Sequence, residues 1–275
     1  EGSQDLYYAQ KVADHLNTIH HSIVVEEQEF LDAIPEVIET IESYDTTTVR
    51  ASVGNWLISK YIKENSDAKV IFNGDGSDEV SGGYMYFHSA PNCLDFDFEC
   101  RRLLKDIHYF DVLRSDRSIA SHGLEPRTPF LDKTFVQYYL SIPENFRFQT
   151  HTKGCEKYLI RNAFNNNLLP KDVLWRTKEA FSDGVSSNKK PWYQVIQDYL
   201  IEQQYEPKLS NEEYQKMHNP PKTLEQKYYR DIFISKFDDN FSNTIPYFWM
   251  PKFVEATDSS ARTLDIYKKK VNNLC

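Results

Sequence analysis

Apolar and polar positions follow a helical period through most of the first hundred residues, and short apolar runs interrupt it. The apolar residues of Leu6–Leu16 fall on one helical face, and the β-branched run Ile23–Val25 follows them. The helical period returns in Phe30–Ile41, where Pro35 has to lie in the first turn. This order predicts a helix, a strand and a second helix.

A third helical period and a second apolar run continue the pattern. The helical period passes through Val53–Ile62 and ends near Asn65, and Lys69–Phe72 then predicts a buried strand. Helices that alternate with short apolar strands are typical of a parallel sheet flanked by helices. The first part of the chain therefore indicates an α/β fold.

The pattern changes beyond residue 95, where strand-like runs are no longer evident. Helical periods cover residues 98–110, 133–142, 154–167, 190–204 and 223–237. The stretch 205–222 is polar and contains two consecutive prolines, which predicts a surface connection. We therefore predict an α/β part in residues 1–95 and a mostly helical part in residues 96–275.

Composition then narrows the classes of function. With 41 acidic and 32 basic residues among 275, the formal charge is -9, and no Lys/Arg block is present, which argues against nucleic acid as a partner. No apolar run approaches the ~18 residues of a membrane span. The four cysteines lack metal-binding spacing, so free thiols are expected. These features predict a cytoplasmic protein that binds neither nucleic acid nor membrane.

The stretch NGDGSDEVSGG, which starts at Asn73, combines glycines with carboxylates directly after the second predicted strand. Loops at the carboxyl end of parallel strands are where open α/β sheets bind ligands. Glycines let backbone N–H groups approach a phosphate, and Asp75, Asp78 and Glu79 supply oxygens suited to Mg²⁺. Because carboxylates repel bare phosphate, the loop predicts a metal ion or a cationic substrate as well.

Three other interpretations of this loop deserve comparison. A calcium loop would need a glycine and a distal glutamate where Asp78 and Tyr84 stand, and a dinucleotide fingerprint fails because Glu79 occupies the place of its third glycine. An acidic surface turn without function stays open if the loop is considered alone.

Further motifs accompany the loop in a fixed order. The run NGDGSDEVSGGYMYFHSAPN is preceded by SQDLYYAQKVADHL and YDTTTVRAS, and it is followed by DVLRSDR, GLEPRTPFLD, CEKYLIR, WRTKEAFSDG and ATDSSARTL. Along nearly the whole chain, these motifs resemble the synthetase domain of the glutamine-hydrolysing asparagine synthetases.

This resemblance implies an ATP-pyrophosphatase fold, of the type shared with adenine nucleotide alpha hydrolases, and ligase chemistry. In that family the β-carboxylate of L-aspartate attacks the α-phosphorus of ATP, which gives β-aspartyl-AMP and pyrophosphate, and ammonia then displaces AMP to form asparagine. The implied cofactors are ATP and Mg²⁺. The implied partners are L-aspartate and a glutaminase domain that supplies ammonia, and a homo-oligomer stays open.

The resemblance also implies which residues of the loop bind the nucleotide. Asn73 and Gly74 match residues that line the nucleotide pocket, and Gly76 and Ser77 continue the same loop. We therefore expect these four residues to form the nucleotide-binding segment.

Five charged residues carry the implied chemistry. Asp75 matches an acid that supports formation of the adenylate and the later ammonia step, and Asp78 matches a carboxylate that helps to hold Mg²⁺ on the pyrophosphate. Lys178 resembles a lysine that contacts the α-phosphate. Arg50 and Arg114 are candidates for binding the phosphates or the aspartate carboxylates through paired hydrogen bonds.

The sequence also departs from the family pattern. Asn73 and Asp75 stand where serine and glutamate are usual, and the shorter carboxylate could impair activity. The Ser-Gly-Gly-Leu-Asp-Ser loop that grips pyrophosphate is expected upstream of Ser3, so we expect a partial sheet and an inactive fragment of a longer synthetase. A non-catalytic binding homologue and a β-lactam-forming relative are the alternatives.

Overall fold

Helices make up most of the described chain, which covers residues 3–148, 153–186 and 190–272 of this computed structural model. The helices are α1 (Gln4–Leu16), α2 (Glu27–Asp32), α3 (Ile34–Ile41), α4 (Thr46–Asn65), α5 (Ser77–Ser81), α6 (Cys93–Asp106), α7 (Asp111–Ala120), α8 (Lys133–Ser141), α9 (Glu144–Arg147), α10 (Tyr158–Ala163), α11 (Lys171–Leu174), α12 (Phe181–Gly184), α13 (Trp192–Glu202), α14 (Asn211–Lys216), α15 (Leu224–Phe237) and α16 (Asp265–Asn272). The strands are β1 (Val70–Phe72) and β2 (Glu125–Arg127), and short 3-10 turns include Met85–Ser89, Ile107–Tyr109, Pro129–Leu131, Asp239–Thr244 and Ala261–Thr263.

The first helices form where the apolar period predicts them. Helix α1 matches the predicted period, and Pro35 lies in the first turn of α3, where its missing N–H costs no hydrogen bond. Asp45 caps α4, because its carboxylate accepts hydrogen bonds from the backbone N–H of Thr48 (2.9 Å) and from that of Trp249 (2.7 Å). The cap thus ties the start of α4 to a distant segment, and burial raises the pKa of Asp45 to about 6.

The two strands form a short parallel sheet. Their register pairs Val70 with Glu125 and Phe72 with Arg127. The prediction that this strand is buried was wrong, since Phe72 is 75% exposed. The described residues place a strand along one edge of β1 only, which leaves its apolar side chains outside the core.

Three other sequence predictions need correction. Ile23–Val25 has no regular structure, because the described residues offer it no neighbouring strand to pair with. Strand β2 lies in the half for which the sequence predicts no strand, because its Glu-Pro-Arg sequence carries no apolar signal. The predicted connection 205–222 contains α14, which a capping box at Ser210 and Glu213 stabilises.

Two apolar cores support the molecule. One joins α2, α3, α4, α13 and α15, and it includes Ile38, Trp56 and Phe233. The other is built around α6 and Met85–Ser89 and includes Trp249. Helix α4 belongs to the first core, and its capping residue Asp45 binds the backbone of Trp249 in the second core. The start of α4 is therefore fixed between the two cores.

At this level the prediction of an α/β protein with a mostly helical second half is confirmed. The division at residue 95 stays a prediction, because β1 and β2 lie on either side of it and pair with each other. Cys93 and Cys100 are free thiols, as expected. None of the described helices is both long and apolar enough to cross a membrane.

Candidate functional site

The loop after β1 is shaped by a side-chain turn and by a glycine at which any other residue would be strained. Oδ1 of Asn73 accepts a hydrogen bond from the backbone N–H of Asp75 (3.1 Å), and its Nδ2 donates to Oγ of Ser115 (2.8 Å). Gly76 has a φ of 85°, and a Cβ there would lie 2.3 Å from a leucine side chain. An added Cβ at Gly74 would meet nothing within 4 Å, so the backbone there faces open space.

Two lysines converge on Asp78 at the start of α5. Nζ of Lys157 lies 2.8 Å from its Oδ1, and Nζ of Lys178 lies 3.2 Å from its Oδ2. Burial opposes ionisation of Asp78, but the two ammonium groups outweigh burial and hold its pKa at about 2. The carboxylate is therefore ionised at neutral pH, and two cations are fixed within reach of any anion bound beside it.

The second lysine of this cluster, Lys157, is not among the residues predicted from the sequence. Its Nζ donates to Oγ of Ser77 (3.0 Å), and its backbone adopts a left-handed conformation with φ of 56°. Gly83 makes room for the cluster, because a Cβ there would lie 2.1 Å from Oδ1 of Asp78 and 2.4 Å from Cε of Lys157. The missing side chain of Gly83 thus allows Lys157 to approach Asp78 closely.

Arg114 joins the loop to α7. Its Nη2 lies 2.8 Å from Oδ1 of Asp111 and 3.5 Å from Oδ1 of Asp75. Burial alone would lower the pKa of Arg114, but the charges of these two carboxylates raise it above its ordinary value. A permanently charged guanidinium therefore stands beside Asp75.

A buried acid and a tyrosine lie next to the charged side chains of Lys178 and Asp111. The hydroxyl of Tyr84 donates to Glu79 and, at 3.3 Å, to Oδ2 of Asp111. Burial and the charge of Asp111 raise the pKa of Glu79 well above its ordinary value. Nζ of Lys178 lies 5.7 Å from the centre of the Tyr84 ring, which favours its positive charge. The tyrosine therefore connects the lysine cluster to the acids of α7.

Arg50 is held by two carboxylates from distant segments. Its Nε and Nη2 donate to the two oxygens of Glu225 at 2.8 and 2.6 Å, and its Nη1 and Nη2 donate to those of Asp258 at 2.7 and 2.8 Å. The side chain is 3% exposed. Because four of its N–H groups are engaged, Arg50 braces α4, α15 and the 258–261 segment, and its binding of a ligand stays a prediction.

These side chains surround a cavity of about 260 Å³. The predicted residues that line it are Arg50, Asp75, Asp78, Arg114 and Lys178. An adjoining, more apolar groove is lined by Asn73 and Gly74 together with Ile58, Ile71 and Ile119. Gly76 and Ser77 line neither of these two spaces, although they belong to the same loop, so their contact with a nucleotide stays a prediction. The arrangement combines an apolar slot with fixed cations, which suits a ligand that has a flat apolar part and a polyanionic part.

The fold and the site together define an α/β protein with a crevice at the carboxyl end of a parallel strand, which is where open α/β sheets bind ligands. The asparagine synthase family model matches residues 1–99 and 94–233, and the chain therefore belongs to the asparagine synthase family. The family predicted from the motifs is thus confirmed.

Relatives named asparagine synthetase [glutamine-hydrolyzing] match almost the whole chain. The protein from Gallus gallus is 50% identical over 273 residues, which are 98% of this chain and 48% of the relative. The Homo sapiens protein is 47% identical over 272 residues, which are also 98% of this chain and 48% of the relative. The Mus musculus protein is 49% identical over 270 residues, which are 98% of this chain and 47% of the relative. The chain thus spans about half the length of the curated relatives it matches.

Proposed function

We propose that the chain is the synthetase part of an ATP-dependent carbon–nitrogen ligase that converts L-aspartate to L-asparagine through β-aspartyl-AMP. The observation that carries this proposal is the cluster of Lys157 and Lys178 around Asp78 at the end of β1. Family membership and the names of the relatives support the same chemistry. The finer fold that we propose is that of the ATP-pyrophosphatases.

The proposed roles follow from where the charges lie. The Asn73–Ser77 loop would contact the nucleotide, and the apolar groove beside Gly74 would receive its base. Lys178 and Lys157 would contact the phosphates, where negative charge grows as the bond between the α- and β-phosphates breaks. Because both cations are already positioned by Asp78, little reorganisation would be needed when that charge develops.

Magnesium fits this site as an ion shared between protein and phosphates. Oδ1 of Asp78 is buried beside Nζ of Lys157 (2.8 Å), and the low pKa of Asp78 keeps the carboxylate ionised, which is the form that Mg²⁺ binds. The described residues contain no group of three His, Cys, Asp or Glu side chains arranged for a metal. Asp78 would therefore hold the ion together with phosphate oxygens, and the ion would supply positive charge to the pyrophosphate.

The second half-reaction requires a group that handles protons. Ammonia attacks the carbonyl carbon of the β-aspartyl-AMP, AMP leaves, and the new amide nitrogen has to lose a proton. Asp75 lines the cavity beside Arg114, so we assign it to this step and to formation of the adenylate. The ammonia would come from a glutaminase domain that acts on glutamine, and a cytoplasmic location stays a prediction.

The test uses the full-length protein with ATP, Mg²⁺ and ammonia, which supplies the nitrogen that displaces AMP. We expect pyrophosphate release that rises with aspartate concentration to a plateau, together with an equal amount of AMP. A coupled pyrophosphate assay with and without aspartate measures it. Pyrophosphate release that ignores aspartate would count against the ligase, and ATP binding without any release would favour a non-catalytic nucleotide-binding homologue.

The shorter acid at position 75 gives a second prediction. Asp75→Glu extends the side chain by one methylene, roughly 1.5 Å, toward the place that a glutamate occupies in the family. We expect the aspartate-dependent rate to rise about tenfold, because reacting groups misplaced by ~1 Å lose large factors in rate.

The exposed Asp116 on α7 provides the matched control for this substitution. Asp116→Glu should leave the rate unchanged in the same assay. An unchanged or lower rate in Asp75→Glu would mean that the pocket is already adjusted to the shorter side chain.

A further inference from the structure

The part of the cavity wall that α12 forms contains a carboxylate oxygen without a partner among the described residues. Asp183, in α12, lines this wall together with Ser260 and is 2% exposed. Its Oδ1 accepts a hydrogen bond from Oγ of Ser260 (2.8 Å). Its Oδ2 is buried and makes no hydrogen bond to any residue that the structure describes.

Asp183 also differs from the other carboxylates around the cavity in its ionic partners. Six carboxylates line the cavity. Within the described residues, five of them have a cation within 4.0 Å: Asp5 with Arg176 (3.0 Å), Asp75 with Arg114 (3.5 Å), Asp78 with Lys157 (2.8 Å), Asp111 with Arg114 (2.8 Å) and Glu179 with Arg262 (3.5 Å). For Asp183, the described residues supply no such cation.

An ionised, buried oxygen of this kind is costly unless a donor reaches it. Burial raises the pKa of Asp183, whereas the hydroxyl of Ser260 and the charges of Arg262, Arg50 and Lys178 lower it in part. The ligand group that offsets the cost must be a donor and is best a cation. A primary ammonium group meets both needs with three N–H donors and requires no cluster of metal ligands.

We propose that Oδ2 of Asp183 accepts a hydrogen bond from the α-ammonium group of the amino-acid substrate, so that Asp183 determines specificity for an amino acid over a plain dicarboxylic acid. This inference rests on the proposed function. The proposed contact would also orient the substrate. The reacting carboxylate of aspartate must lie toward Lys178 and the phosphates, while the ammonium group of aspartate lies toward Asp183. The cavity thus offers one carboxylate oxygen without a partner among the described residues, in addition to its fixed cations.

The test compares aspartate with succinate, which has the same two carboxylates and no amino group. In the full-length protein we expect pyrophosphate release with aspartate and at least about 10-fold less efficient release with succinate, the effect of one charged hydrogen bond. Asp183→Asn should raise the KM for aspartate about 10- to 100-fold and leave the KM for ATP within about twofold. The kcat/KM of Asp183→Asn with succinate should equal that of the unaltered protein.

Asp172→Asn is the matched control, since Asp172 pairs with Lys11 on the surface and loses the same charge. It should leave both KM values unchanged. The inference is overturned if the unaltered protein uses succinate as well as aspartate, a result that does not depend on how the variant folds. It is also overturned if Asp183→Asn keeps the KM for aspartate. Absence of aspartate-dependent release in the unaltered protein overturns the proposed function itself, and this assignment with it.

Discussion

Lys178→Ala is expected to lower aspartate-dependent pyrophosphate release about 10²- to 10³-fold at saturating substrates, the usual loss when one preorganised donor to a charged transition state is removed. Nζ of Lys178 lies 3.2 Å from Asp78 and donates to the backbone carbonyl of Glu179 (2.6 Å). These contacts hold the ammonium group at the cavity before any ligand binds. The loss should appear in kcat, measured with the full-length protein in the pyrophosphate assay.

Two further variants sharpen this prediction. Lys252→Ala removes a half-exposed lysine that lies 3.4 Å from Glu99, outside the cavity, and should leave kcat unchanged. Lys178→Arg keeps the charge but replaces a compact ammonium group with a planar guanidinium, so it should recover only part of the rate. A loss below tenfold in Lys178→Ala would mean that Lys157 or Arg114 carries the phosphate contact instead.

Arg50→Ala is expected to lower the free energy of unfolding by about 3–5 kcal/mol, because it leaves buried charge without a partner. Arg50 satisfies both oxygens of Glu225 and both oxygens of Asp258, and the Glu225 side chain is 1% exposed. Equilibrium urea unfolding measures the change. The shape of the cavity should also change, since the segment that starts at Asp258 forms part of its wall.

An exposed ion pair supplies the control for this substitution. Lys236 pairs with Glu39 on the surface, so Lys236→Ala should cost about 1 kcal/mol or less. The double variant Arg50→Met with Glu225→Gln should recover part of the lost stability, because it removes two of the three charges in the cluster and leaves only the less buried Asp258. Equal losses in Arg50→Ala and Lys236→Ala would contradict the bracing role.

Much of the helical architecture could be predicted from the sequence, because it depends on local periodicity. Helices α1, α3, α4 and α15 form where apolar residues recur at the helical spacing, and Pro35 lies in a first turn as expected. Strands depend on partners that are distant in the sequence. Ile23–Val25 therefore failed as a strand, while Glu125–Arg127 became one through backbone pairing with β1.

The candidate site divides in the same way. Asp75 and Asp78 could be chosen because they follow a predicted strand directly, and Lys178 was found through its motif. Lys157 lies in the motif CEKYLIR, but it was not chosen, because the motif does not link it to Asp78, which lies on another element. The partners of Arg50 could not be predicted, since no local pattern links that residue to acids about 200 positions away.

The Arg50 brace has a consequence for how the chain matures. Its two acids lie 175 and 208 residues further along the sequence. A ribosome adding ~5–20 residues per second needs roughly 10–40 s to cover that distance. Until Glu225 has been added, the guanidinium has neither acid to bind, and α4 lacks the contact that joins it to α15. The contacts that join α4 to α15 and to the cavity wall can therefore all form only after Asp258 has been added.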